Sequence, residues 1–135
     1  MSQQRRRFTL ETVLPALEEH GFAVGDMGLL ASALERPWAT FCGEELYPDE
    51  WSKAAALVHS TESNHPFLDG NKRVGVLLGS IMLRVHGRDD RRISDDDWFD
   101  LVIAVSTGEF DTEEIARRLE AVYRKGEVDS KTSHS

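Results

Sequence analysis

Apolar and polar residues recur with a helical period along almost the whole chain. In "TLETVLPALEEHG" the pattern opens at Thr9, a helix-capping residue type, and closes at Gly21, a helix-ending one. Pro15 falls inside this run and is expected to kink the helix or to mark its true start. "DMGLLASALERP" predicts a second helix, capped by Asp26, carrying Leu29, Leu30, Ala33 and Leu34 on one side, and stopped by Pro37. "DEWSKAAALVHSTESN" predicts a third, with Trp51, Ala55 and Val58 on one face. "NKRVGVLLGSIMLRVHG" is the most apolar segment and is apolar all round, which predicts the central buried helix. Gly75 and Gly79, four residues apart, would let neighbouring helices approach it closely. Ser94 is placed to cap "DDDWFDLVIAVSTG", whose three leading aspartates suit the positive end of a helix dipole. Asp111 is placed to cap "DTEEIARRLEAVYRKG", with Glu114 at the capping-box position.

Four stretches break the period. "WATFCGEELYP" is short, β-like and interrupted by glycine, and predicts a loop or small hairpin between helices. "HPFLDG" separates the third helix from the apolar one, and "RDDRRI" is a charged connector. "EVDSKTSHS" carries too few apolar residues to join a core. The expectation is an all-α fold of about six helices, forming a single domain over residues 1–125, with a disordered tail over 126–135. There is no internal repeat.

Composition narrows the function classes. A chain of 135 residues can bury one real core. Its net charge of −8 and pI near 5.1 argue against direct nucleic-acid binding. An acidic protein that handles an anion needs a local positive site, and Lys72 with Arg73 is the candidate. Cys42 is the single cysteine, so no internal disulfide forms, which fits a cytoplasmic protein. No stretch nears the roughly 20 apolar residues of a membrane span. "MSQQRRRF" has a charged start without an apolar run behind it, so no signal peptide and no membrane partner are expected. Arg5, Arg6 and Arg7 read as a solvated end.

The chemistry gathers in "HPFLDGNKR". Gly70 permits backbone conformations that other residues resist. The N–H groups that follow it, at the start of the Asn71 helix, have no partners within that helix. With the helix dipole behind them they form an anion site. Arg73, in the first turn, could grip phosphate oxygens with two parallel hydrogen bonds. Asp69 is a hard oxygen ligand at the mouth of this site, suited to Mg²⁺ shared with substrate phosphates. His65, four residues before Asp69, is the natural general base near neutral pH. Pro66 and Phe67 would stiffen the loop, with Phe67 anchored in the core. Base, metal ligand, anion hole and phosphate clamp are the parts needed to move a phosphate-containing group from a nucleotide to a hydroxyl.

Singly, each of these residues is ordinary turn or surface chemistry. A P-loop is excluded: "DGNKR" lacks the first glycine of that motif, and Arg73 stands where Ser or Thr is required. Zinc would have to draw on His59, His65 and Asp69, with no cysteine cluster behind them. His20 and His86 each precede a glycine at a helix end and read as dipole partners. Trp51, Trp98 and Phe99 read as core, and the Asp95–Asp97 run as helix-start charge rather than a metal site. Nothing cationic adjoins Cys42 to activate its thiol.

"HPFLDGNKR" resembles the signature of the Fic/Doc superfamily, H-P-F-x-[D/E]-[G/A]-N-[G/K]-R. "DMGLLASALERPWATFCGEELYPDEWSKAAALVHSTESNHPFLDGNKRVG" resembles its death-on-curing (Doc) branch, and "LVIAVSTGEFDTEEIARRL" resembles the end of such proteins, so that residues 8–122 are covered. The resemblance implies the Fic fold, a helical bundle with the motif loop between two central helices. Residue by residue, it implies that His65 deprotonates the target hydroxyl, Asp69 holds Mg²⁺, Gly70, Asn71 and Lys72 supply anion-hole donors, and Arg73 clamps a phosphate. It also implies a flap that positions the target by strand pairing, for which Ala39, Thr40 and Phe41, within Ala39–Gly43, are the candidates; a plain connector fits the same residues.

Two positions separate the branches. Adenylylating Fic proteins usually carry glycine at the place of Lys72 and a second arginine at the place of Val76. Doc toxins share both departures. The implied activity is therefore ATP-dependent phosphorylation of a protein, with transfer of the γ-phosphate. The implied target is a threonine of translation elongation factor Tu, and the implied partner a Phd-like antitoxin. An adenylyltransferase using the same His65 and Asp69, or a catalytically silent antitoxin-binding protein, are the alternatives.

Overall fold

The computed structural model describes the backbone of residues 2–132 and the side chains of residues 2–126. The fold is all-α, as expected, around a single short hairpin among the described residues. In chain order come α1 (Gln3–Arg6), α2 (Leu10–Glu19), α3 (Met27–Glu35), β1 (Thr40–Phe41), β2 (Glu44–Glu45), α4 (Glu50–Asn64), α5 (Asn71–Val85), α6 (Asp95–Ser106) and α7 (Thr112–Thr132). Single 3₁₀ turns at Arg36–Trp38 and Asp90–Arg92 join them. One hydrophobic cluster runs from Phe8 to Tyr123, through Leu30, Leu57, Leu78, Val102 and Leu119. No helix of the described residues is long and apolar enough to cross a membrane.

The predicted helix starts are made as read. Thr9, Asp26 and Ser94 each accept a backbone N–H three residues on. Asp111 accepts the Glu114 N–H at 2.9 Å. Glu114 itself does not complete a capping box; its carboxylate pairs with Arg117 and Arg118 instead. Pro15 stays inside α2, which starts five residues earlier at Leu10. It lies exposed, so the carbonyl it leaves unpaired has access to water. α7 continues helical to Thr132, into the stretch expected to be a tail, and residues 133–135 lie outside the described residues. Gly126 has a packing reason: a Cβ there would overlap the Arg92 carbonyl.

α4 and α5 form the most extensive helix pair, and the motif loop joins them. The apolar α5 was expected to be the central helix, but α4 takes that place. It buries Trp51, Lys53 to Val58 and Ser60 to Glu62, and packs on α3, α5, α6 and α7. Hydropathy favours large apolar side chains. Here the small residues Ala54, Ala55 and Ala56 let neighbours close in on every side. Gly75 and Gly79 act as expected: Gly79 faces the Trp98 ring, which would lie 2.9 Å from an added Cβ, and Gly75 faces Glu62 at 3.3 Å.

Candidate active site

The motif loop is built by contacts from three directions. α4 ends on His65, whose backbone is left-handed at φ 48° and ψ 60°. That conformation costs a non-glycine residue roughly 1 kcal/mol or more and persists only where its surroundings hold it. The hold comes from the segment ahead of α3. Gly25 and Asp26 donate to the Pro66 carbonyl at 2.8 and 2.9 Å, and the Leu68 N–H donates to Ala23 at 3.2 Å. Val24 and Phe67 thereby form an antiparallel bridge. Phe67 is buried, edge-on to Phe22 with ring centres 6.1 Å apart.

Asn71 closes the loop from the other side. Its side chain accepts the Phe67 N–H at 3.1 Å and donates to the Phe67 carbonyl at 3.0 Å. Its amide group is thus a loop clamp, and its main-chain N–H faces the start of α5 without a side-chain cap. Asp69 accepts the Gly70 N–H through Oδ1 at 2.8 Å. Gly70 sits at φ +78°, where an added Cβ would lie 3.1 Å from the Phe22 ring. No side chain caps α5, so the N–H groups of its first turn stay available.

A depression of about 390 Å³ results, lined by His65, Leu68, Asp69, Gly70, Asn71, Lys72, Arg73 and Phe99. The structure therefore brings together every residue expected of the loop chemistry. Phe99 belongs to this wall and is 44% exposed, which corrects its reading as core. Arg73 packs its guanidinium over the Phe22 ring, 5.5 Å from the centroid. Phe22 orients the clamp by a contact that local spacing could not reveal. Val76 faces a neighbouring depression of about 350 Å³, shared with Arg73 and Phe22. A larger hollow of about 550 Å³ lies at the end of α5, but Arg84–Asp90 and Arg91–Asp89 pairs wall it and satisfy one another.

The donor set fits Mg²⁺ of one kind only. Asp69 offers a single exposed carboxylate, and no group of three His, Cys, Asp or Glu residues among those described could hold a metal. That suits an ion completed by substrate phosphates rather than a protein cage. It also means that His59, His65 and Asp69 do not assemble a zinc site. His59 lies partly buried, its Nδ1 unpartnered and its pKa lowered mainly by that burial and by Arg36.

Glu62 is the residue that sequence reasoning passed over. It continues the Trp51–Ala55–Val58 stripe of α4 and is only 3% exposed. Neither carboxylate oxygen has a hydrogen-bond partner. Burial pushes its pKa up to about 7, against an opposing pull from Lys72. An acid at heptad spacing on an apolar stripe was the available signal.

The hairpin is the small one expected of "WATFCGEELYP". Thr40 pairs with Glu45 and Phe41 with Glu44, across a turn in which Cys42 and Gly43 both have positive φ. It does not line the depression. Phe41 is 71% exposed. Buried Lys53 holds the base of the hairpin: its ammonium donates to the Tyr47 carbonyl and to Glu45 at 3.0 Å, and lies 4.9 Å from the Trp38 ring centre. His20 and His86 turn their Nδ1 atoms onto carbonyls four residues back, at 2.8 and 2.9 Å, as helix-end residues.

The Fic/DOC family profile matches residues 6–83, which include the hairpin, α4, the whole motif loop and α5 up to Leu83. The chain belongs to the Fic/DOC family. It is 40% identical over 97 residues to a protein named Toxin Doc from Mycolicibacterium smegmatis, a match spanning 71% of this chain and 75% of that relative. No solved structure matches it.

Proposed function

We propose that this protein is a Doc-like toxin of a type II toxin–antitoxin system, acting in the cytoplasm. It transfers the γ-phosphate of ATP to a protein hydroxyl, by family likeness a threonine of translation elongation factor Tu, and so blocks translation. The observation that carries the reading is the convergence of His65, Asp69, Arg73 and the uncapped start of α5 on one depression.

His65 takes the proton of the attacking hydroxyl. The hydroxyl oxygen bonds to the γ-phosphorus as the bond from that phosphorus to the β–γ bridging oxygen breaks, and ADP leaves with the electron pair. Charge gathers on the phosphoryl oxygens during this exchange. The first-turn N–H groups of α5 and the Arg73 guanidinium meet it with donors that need no rearrangement. Asp69 would hold Mg²⁺, which supplies further charge neutralisation when bound. Lys72 adds a cation to the anion hole, and Val76 removes one from the neighbouring hollow; both favour phosphate over AMP transfer. The hairpin edge at Ala39, Thr40 and Phe41 is where an extended target segment would pair, with the Ala39 N–H and carbonyl already bonded to Arg36 and Leu46. The name of the M. smegmatis relative, Toxin Doc, supports an antitoxin as partner; that the antitoxin is Phd-like rests on the family resemblance alone.

The test is incubation of the purified protein with cytosolic extract, Mg²⁺ and either α- or γ-labelled ATP. A protein band labelled from the γ position alone supports the reading. Label from the α position means nucleotidyl transfer, and no label from either means a silent binding protein.

A further inference from the structure

Burying a carboxylate without hydrogen bonds is costly unless it is neutral or has a counter-charge close by. Glu62 is 3% exposed, and both its oxygens lack partners. It reaches across the seam between α4 and α5, into room left by the missing side chain of Gly75: a Cβ there would lie 3.3 Å from Oε2. Gly75 follows Lys72 by three residues, one turn along the same face of α5. Lys72 is exposed and lines the depression at the loop. The acid therefore lies behind a cation whose other side faces the anion site. Among the described residues, Lys72 is the charge that acts on Glu62. Among the described residues of the other elements packed on α4, namely α3, the Arg36–Trp38 turn, α6 and α7, no ionised group shifts it.

We propose that Glu62 is a positioning residue for Lys72: ionised, it draws the ammonium back toward the α4–α5 seam, and protonated, it releases the ammonium to an anion in the loop. This rests on the reading of the loop as an anion site. An anion at Lys72 competes for the counter-charge of Glu62 and adds negative charge beside it, so anion binding favours the protonated carboxyl. By linkage, binding takes up a proton, and affinity falls as pH rises through the titration of Glu62. Burial and Lys72 together place that titration near neutrality.

Sulfate is the probe, because its charge is constant across the range. Its Kd is measured by amide chemical shifts of the full chain at pH 6 and pH 8, in a His65→Gln background that removes the imidazole titrating nearby. The expected Kd rises roughly fivefold between the two pH values, within the tenfold that one pKa unit allows. Adding Glu62→Gln is expected to flatten this rise while keeping the tighter, low-pH affinity. Adding Lys72→Gln is expected to flatten it at a weaker affinity; this exposed position decides alone if Glu62→Gln does not fold. An unchanged rise in both variants overturns the role of Glu62 and leaves the anion site standing. No sulfate binding at either pH overturns the anion site, and the inference with it.

Discussion

The motif loop and the hairpin are both short connections leading into the α4–α5 pair, yet they are held very differently. The loop is fixed by Asn71, by the Ala23–Asp26 segment and by Phe22 and Phe67, so its unusual backbone has no freedom to relax. The hairpin has two residues per strand, an exposed tip, and one buried lysine beneath it. Groups that must meet developing charge gain from being fixed in advance, because they then need no reorganisation during the reaction. A surface that must accept a strand from another protein gains from exposed, loosely held backbone. Under the proposed function, these two demands would fall to two different connections.

The largest expected effect breaks the chemistry of the loop while leaving its frame. His65→Ala should lower transfer by roughly a hundredfold or more, as expected for loss of a general base. Its melting temperature should stay within a few degrees of the parent. Unfolding of this variant would make His65 a structural residue.

Next comes the seam behind the loop. The carboxyl of Glu62 titrates near 7 in the folded chain, above its ordinary 4.5. Below pH 4.5 it is protonated folded and unfolded alike and makes no difference. Between 4.5 and 7 the unfolded chain gives up a proton that the folded chain keeps, so stability falls as pH rises. Above 7 the loss is complete, at roughly 3 kcal/mol. Glu62→Gln should therefore gain stability relative to the parent by about that amount between pH 4 and pH 8, read by urea denaturation. A constant difference between the two would contradict the shift.

Two substitutions of similar size separate loop from hairpin. Asn71→Ala removes both hydrogen bonds to Phe67 and should cost about 2 kcal/mol, together with nucleotide-dependent activity. Lys53→Met leaves the Tyr47 carbonyl and Glu45 without their partner. It should cost about 2 kcal/mol as well, but should raise the KM for the protein target more than that for ATP. Equal losses on both substrates would end the division of labour. The smallest effect belongs to Phe22→Leu, which keeps an apolar side chain but removes the ring beneath Arg73. The apparent KM for ATP should rise about fivefold, near 1 kcal/mol.

Much of this was legible because it is local. Caps at Thr9, Asp26, Ser94 and Asp111 act over three residues, and the loop chemistry lies within nine consecutive positions. The parts that escaped depend on distant pairing. Nothing near Phe67 announces that Val24 will bridge to it, or that Phe22 will carry Arg73. α4 was underrated against α5 because its burial comes from alanines that fit between neighbours, rather than from apolar bulk. Phe99 lies beside Trp98 and shares its helix, but only the packing of α6 decides which of the two turns outward. Glu62 stood on a visible apolar stripe; what its sequence position could not show was the glycine that makes room for it.

Under the proposed function, the rigid loop transfers a phosphoryl group using His65. The direct measurement is the nucleotide product formed when the protein consumes ATP in the presence of its protein target, separated by chromatography. ADP is expected, formed in step with phosphorylated target and absent with His65→Ala. Pyrophosphate in place of ADP, or ADP production and target labelling that persist in His65→Ala, would contradict it.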